Sequence, residues 1–297
     1  MNLFESLDSP SVINFVTGSK GFIGSSLKNS LMASGSPVIE VGKLEPLEFE
    51  QFVGRQMIAE SIKKRLILCD WQGVYGSRDD LALQLHNSSR LIEYSKVAVT
   101  HGFEKILALG SQAEISANQT GVTPNAPFQP RNSYGIAKKI AFMGIKNCVS
   151  GSNTAFAWAR LFSVYGPNMS KMTLISRIIR DSLERLPIEL SEGKQEWNYL
   201  YVTDCANALI KILENVTKSE VFNVASSSTH SIRWVANFLA SRLDSQELMK
   251  FGAVPYATDE VFDMSPNIAS VLELGWEEFV SIEEGLVRCI ESYRAVL

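Results

Sequence analysis

Short apolar runs alternate along the chain with longer stretches whose apolar residues recur every three or four positions. Ser11 to Thr17 is rich in β-branched residues and is bounded by Pro10 and Gly18, which predicts a buried strand. Phe22 to Ala33 has helical spacing, with Gly35 as its stop. The same criteria predict a strand over Pro37 to Val41, a helix from Leu47 to about Ile62, and a strand over Arg65 to Cys69. They predict a long amphipathic helix over Asp79 to Val99 and a strand over Ile106 to Leu109. A loop carrying Pro124, Pro127 and Pro130 leads into a helix that holds Tyr134 and ends near Val149, and Thr154 to Phe162 is again a strand. Strands alternating with helices imply an α/β fold, a doubly wound parallel sheet covered on both faces.

Beyond Tyr165 the pattern loosens. Helices over Ser176–Leu186, Asp204–Leu213, Ile232–Leu243 and Ile282–Tyr293, with short strands at Tyr199–Val202 and Val221–Val224, predict a smaller lobe on the sheet's C-terminal edge. A soft boundary near Gly166-Pro167 divides residues 1–165, a nucleotide-binding domain, from residues 166–297, a substrate lobe partly interleaved with the sheet.

With 297 residues, 45% hydrophobic and 20% charged, the chain can supply a full core. A net charge of −4 gives no basic field for nucleic acid. Cys69, Cys148, Cys205 and Cys289 are far apart with no C-x-x-C, which reads as reduced thiols. His86, His101 and His230 lack ligand spacing, so no metal site is expected. No apolar run approaches the roughly 18–20 residues of a membrane span. The N-terminus has no basic segment ahead of an apolar one, so the cytoplasm is the expected compartment.

Gly18, Gly21 and Gly24 follow a predicted strand and open a predicted helix, which is the context a dinucleotide requires. Gly18 makes the tight turn. The segment through Ser19, Gly21, Phe22 and Ile23 brings backbone N–H groups to the pyrophosphate, and Gly24 lets the helix lie close on the sheet. A hundred residues on stands Asn132-Ser133-Tyr134-Gly135-Ile136-Ala137-Lys138. A Tyr four residues before a Lys places both on one helix face. The ammonium is expected to lower the Tyr134 pKa from its usual ~10. Ser111 ends the Ile106–Leu109 strand segment, where a hydroxyl can meet a reacting carbonyl beside Tyr134. Gly42-Lys43 at the end of the second strand lacks the acid that would repel a 2′-phosphate, and Lys43 adds charge, favouring NADP(H) with NAD(H) possible. Lys43 could equally be a solvated loop lysine, and strand alternation leaves the direction of Glu40 open. The loop Cys69 to Arg78 is unusually polar and aromatic: Trp71 could wall a sugar pocket, and Arg78 could meet a phosphate. Arg177 and Arg180 lie on a lobe helix, where a solvated face is the simpler reading than a diphosphate contact.

Val16-Thr17-Gly18-Ser19-Lys20-Gly21-Phe22-Ile23-Gly24, Tyr134-Gly135-Ile136-Ala137-Lys138, Arg160 to Pro167 and Trp197 to Asp204 fall in order over nearly the whole chain, with Leu274-Gly275-Trp276 and the Ser281–Leu286 segment near the end. As a set they resemble the extended short-chain dehydrogenase/reductases, the NAD(P)-dependent epimerase/dehydratase family. The Phe251-Gly252-Ala253-Val254 region and the short length resemble the CDP-abequose synthase type of nucleotide-sugar 4-ketoreductase. The resemblance implies a Rossmann-type sheet. It makes Tyr134 the proton donor, Lys138 the holder of the nicotinamide ribose, and Ser111 the companion hydroxyl, with Gln112 there instead after a one-residue slip. Asn87 stands where the family often supports a backbone segment, or else is a solvated amide. Where related dehydratases carry Asp-Glu, this chain has Gln112-Ala113-Glu114, so the acid for elimination is missing. Trp197 replaces an Arg that meets the nucleotide's anionic part, and can stack on a base or belong to the core. Ser163 stands where many relatives have a substrate-contacting Asn.

The function expected is NADPH-dependent reduction of a 4-keto-6-deoxy nucleotide sugar in deoxysugar biosynthesis. A 4-epimerase with tightly bound NAD and a non-catalytic NAD(P)-sensing protein are the alternatives. A homodimer is also implied, through the Asp79–Val99 and Tyr134 helices. Ile140, Met143 and Ile145 are candidates for its interface or for the sheet face.

Overall fold

The computed structural model describes residues 11–56, 58–115, 119–257 and 260–295. Its centre is a six-stranded sheet in which every pairing is parallel. In chain order the first half runs β1 (Val12–Thr17), α1 (Phe22–Ala33), β2 (Val38–Val41), α2 (Pro46–Arg55), β3 (Lys63–Leu68), α3 (Leu81–Thr100), β4 (Lys105–Ser111), β5 (Gln119–Val122), α4 (Ser133–Val149) and β6 (Ala155–Leu161). The second half runs β7 (Ser163–Tyr165), α5 (Leu174–Leu183), β8 (Ile188–Leu190), β9 (Glu196–Trp197), β10 (Tyr199–Tyr201), α6 (Val202–Asn215), β11 (Glu220–Val224), β12 (His230–Ser231), α7 (Ile232–Arg242), β13 (Met249–Phe251), β14 (Met264–Pro266), α8 (Ala269–Leu272) and α9 (Ile282–Arg294).

The sheet order is β11-β6-β4-β3-β1-β2. Neighbouring residues on each strand go to opposite faces. Phe15, Leu66, Ile106 and Phe156 pack with Phe49, Leu91 and Tyr94 on one side. Val16, Ile67, Leu107 and Ala157 pack with Leu27, Leu31 and Leu209 on the other. Both faces are dry, so the strands read as unbroken apolar runs. Each Leu or Ile so buried contributes about 1.5–3 kcal/mol. Helices α3 and α4 approach closely because Gly144 leaves room for Ile92; a side-chain carbon there would lie 2.3 Å from it.

The chain leaves β1 toward β2 and returns across β1 to β3, so order reverses between β1 and β3. In open α/β sheets ligands settle in the crevice outside such a reversal. The turn after β1 and the loop after β3 meet there: a side-chain carbon on Gly18, whose φ is +62°, would sit 2.8 Å from the Asp70 nitrogen.

Three expectations shift. The second helix stops at Arg55 instead of running to Ile62, because Gln56 turns extended and the chain must cross back to β3. The helix expected over Ser176–Leu186 starts earlier, at Leu174, under a Thr173 cap, and ends at Leu183. The long helix starts at Leu81, with Asp80 capping the Leu83 N–H. Residues beyond 166 give β11 to the main sheet, beside β6, and α6 to its face against α1. The rest of that half has its own core of Ile175, Ile178, Val235, Leu239 and Leu286. Its two-stranded pairings, β7 with β10, β8 with β13 and β9 with β12, are too short to leave a periodic signal. Among the described residues no helix is long and apolar enough to cross a membrane, and the four cysteines are unpaired.

Candidate active site

The glycine turn sits at the reversal point. The Gly21 N–H bonds to the Gly18 carbonyl at 2.9 Å, and Gly21 caps α1 with no side chain accepting from its first turn. Free N–H groups at a helix start, with no acidic side chain in that turn, suit a pyrophosphate. A side-chain carbon on Gly24 would lie 2.2 Å from the Gly18 oxygen, so only glycine lets α1 dock on the turn. Phe22 and Ile23 form the first turn of α1. Glu40 turns toward this loop: it accepts from the Ser19 hydroxyl at 2.7 Å and pairs with Lys28 at 3.2 Å, and these bonds hold its pKa below the usual carboxylate value. Lys43 is exposed on the loop after β2.

Ser111, Tyr134 and Lys138 come together from two elements. Ser111 ends β4, while Tyr134 and Lys138 lie one turn apart near the start of α4, which Asn132 caps by accepting the Gly135 N–H at 2.8 Å. All three are buried. The Ser111 hydroxyl accepts the Ala113 N–H at 3.2 Å and lies near enough to the Tyr134 phenol to act on its pKa. Gly135 admits this contact, since a side-chain carbon there would lie 2.1 Å from the Ala113 oxygen in the turn after β4. Gln112 opens that turn, half-buried.

Lys138 does not do what its spacing predicts. Its ammonium donates to the Leu109 carbonyl at 2.7 Å and lies 3.7 Å over the Trp71 ring. Burial pushes its pKa down to about 7, against the opposing pull of Glu114 and Cys69. Tyr134 is pushed up to about 12 rather than lowered: burial dominates, partly offset by the nearby Ser111 hydroxyl and by the Arg78 charge. The phenol is therefore fully protonated at neutral pH, as a proton donor must be.

The loop after β3 accounts for the rest. Trp71 faces Lys138 and meets Tyr134 edge-on at 5.8 Å, so it walls both side chains. Arg78 lies over the Tyr134 ring, 4.9 Å from its centroid. Asn87, wholly buried, takes the Gln72 N–H at 3.2 Å and gives to the Gln72 carbonyl at 2.9 Å, a backbone support and not a solvated amide. Gln84, missed in the sequence, accepts from the Trp71 indole at 2.7 Å and donates to the Gly73 and Ser77 carbonyls. Its three-residue spacing from Asn87 was the available signal. Arg90, also missed, is ion-paired with Asp70 on the same helix face.

Beneath Ser111 lies a network that sequence reading also overlooked. Glu114 is wholly buried: one oxygen accepts the Ser111 N–H at 2.5 Å, the other the Trp158 indole at 2.9 Å and the Arg160 Nε at 3.3 Å. Gly110 makes the space, because a side-chain carbon there would sit 2.3 Å from the Trp158 nitrogen.

The remaining candidates scatter. Ser163 is half-buried in β7, paired with β10. Trp197, opposite His230, keeps a buried indole N–H without a hydrogen-bond partner. Arg177 bonds the Glu189 carbonyl at 3.0 Å and Arg180 pairs with Asp181 at 2.8 Å, local links of a lobe helix. Among the described residues no cluster of His, Cys, Asp or Glu could hold a metal.

The model of the NAD dependent epimerase/dehydratase family matches residues 77–225, half of the sequence. The chain belongs to that family. The glycine turn lies ahead of the matched residues. UDP-glucuronic acid decarboxylase 1 of Arabidopsis thaliana is 22% identical, over 94% of this chain and 69% of that protein. CDP-abequose synthase of Salmonella muenchen is 22% identical, over 93% of this chain and 96% of its own. Among solved structures, MoeE5 in complex with UDP-glucose and NAD superimposes with a TM-score of 0.84 at 22% identity, covering 95% of this chain and 99% of that one. The family is one of NAD dependent epimerases and dehydratases, which makes this chain an enzyme of that class, and the six-stranded parallel sheet is its Rossmann-type fold.

Proposed function

We propose that this chain reduces the 4-keto group of a 6-deoxy nucleotide sugar with NADPH. The observation that carries the reading is the state of Glu114. Its carboxylate is wholly buried and taken up by Ser111, Trp158 and Arg160, while Gln112 stands where elimination needs an acid. Among the described residues this leaves Tyr134, with Ser111 and Lys138 beside it, as the proton donor, which is the complement that carbonyl reduction requires. With its pyrophosphate held at the glycine turn, the bound cofactor would supply a hydride to the sugar C4. Tyr134 gives its proton to the C4 oxygen, Ser111 shares that oxygen, and Lys138 holds the ribose. The test is a panel of 4-keto-6-deoxy nucleotide sugars with NADPH consumption as readout. Turnover of an intact nucleotide sugar without added NADPH, by protein purified with bound NAD, would instead establish the 4-epimerase.

Three lysines support NADPH. Lys43 lies on the loop after β2, Lys28 pairs with Glu40, and Lys20 also acts on Glu40, so local charge is positive despite that carboxylate. Lys43→Asp should weaken NADPH binding selectively, because a carboxylate opposes a 2′-phosphate and suits a 2′-hydroxyl. Titrating both cofactors checks this; equal losses would remove Lys43 as discriminator.

A homodimer through α3 and α4 fits the exposed apolar row Leu81, Leu85, Ile136, Ile140 and Met143. Ile145 is fully buried and belongs to the sheet side. Light scattering that gave a monomer at micromolar concentration would refute it.

A further inference from the structure

The cation that faces Tyr134 comes from outside its helix. Lys138 is directed elsewhere, to the Leu109 carbonyl and the Trp71 ring, with its nitrogen 5.7 Å from the Tyr134 ring centroid. The Arg78 guanidinium lies closer, at 4.9 Å, at the exposed mouth of the site. Among the described residues it enters no ion pair that would neutralise it.

Its placement is built. The Ser77 carbonyl, just before Arg78, is held by Gln84 of α3 at 2.9 Å. The Asp79 carbonyl, just after it, accepts from the Ser133 hydroxyl at 3.2 Å, and Ser133 is the residue next to Tyr134. The backbone is therefore clamped on both sides of Arg78, once to each helix that frames the site.

We infer that Arg78 is a positioning residue for proton transfer, stabilising the negative charge that develops on the Tyr134 oxygen as its proton leaves. The inference rests on Tyr134 being the proton donor. In that step the Tyr134 O–H bond breaks, an O–H bond forms at the sugar oxygen, and a phenolate remains until solvent restores the proton; Arg78 keeps its own protons throughout. The other charged and titratable groups that face Tyr134 do not fill this role. Glu114, from the turn after β4, and Tyr75, from the loop of Arg78, both oppose a phenolate. Lys138, on α4 itself, is engaged as described. Water screens an exposed guanidinium, so the effect is moderate and falls with salt.

The experiment compares wild type, Arg78→Gln, Arg78→Lys and Tyr134→Phe on a 4-keto sugar across pH at low and high salt. Arg78→Gln should lower kcat about 10-fold at neutral pH, since an opposite charge changes a proton equilibrium by that order. KM should barely change. Arg78→Lys should recover most of the rate, and high salt should narrow the gap between wild type and Arg78→Gln. A raised KM with an unchanged kcat would make Arg78 a contact for a substrate anion and overturn the inference, as would an Arg78→Lys variant as slow as Arg78→Gln. Activity retained by Tyr134→Phe would instead remove the proton-donor reading itself.

Discussion

Tyr134→Phe should lower the turnover of a 4-keto sugar by about 100-fold or more, the usual scale for general acid–base catalysis, while leaving cofactor affinity nearly unchanged. The ring stays packed edge-on against Trp71 and under Arg78, so only the hydroxyl is lost. With the phenol pushed up to about 12, wild type holds its donor proton through the neutral range, and the rate should fall only on the alkaline side. On the proposed reaction, Ser111→Ala should slow turnover and spare cofactor binding, because its hydroxyl would meet the substrate oxygen. Lys138→Ala should harm both, since it empties a buried position between the Leu109 carbonyl and the Trp71 ring and removes the cation proposed to hold the ribose. Steady-state rates with cofactor titration by fluorescence separate the three. Near-normal reduction by Tyr134→Phe would mean that another group donates the proton.

The second large effect is on stability. Glu114→Ala removes the carboxylate from a wholly buried pair and, among the described residues, leaves Arg160 the Pro124 carbonyl at 3.3 Å and the Asn223 side chain at 3.2 Å as hydrogen-bond acceptors. Burial disfavours the charged form of both partners, so neither charge is tolerable alone. Breaking such a pair costs about 3–5 kcal/mol, which for a chain of this size lowers Tm by about 10 °C. The Ser111 N–H and the Trp158 indole lose their acceptor as well. Glu114→Gln keeps an acceptor and should lose less. Thermal unfolding followed by circular dichroism reads the difference; an unchanged Tm would mean that water takes the carboxylate's place.

Much of this enzyme was legible before its structure. The runs around Phe15, Leu66, Ile106 and Phe156 are continuous because both sheet faces are covered, and that continuity announces a parallel sheet. Gly18 and Gly24 are readable because each answers a demand that glycine alone meets, a positive φ at the turn and a helix docked against it. The spacing of Tyr134 and Lys138 reflects one helical turn, which is local. By contrast, the electrostatics of that pair were misjudged. Spacing reports the separation of two side chains but not their solvent, and burial outweighs the mutual effect that spacing suggested.

The sequence by itself determined the local and periodic features: the order of strands and helices, the glycine turn, and the helix that carries Tyr134 and Lys138. Only the tertiary structure decided the contacts between segments far apart in the chain. It set Arg78 on Tyr134, Trp71 on Lys138, Gln84 and Asn87 on the loop after β3, and Glu114 between Ser111, Trp158 and Arg160. Periodicity encodes which face of an element is buried. Which distant polar groups meet, and how far burial shifts their protons, depends on how the faces pack together.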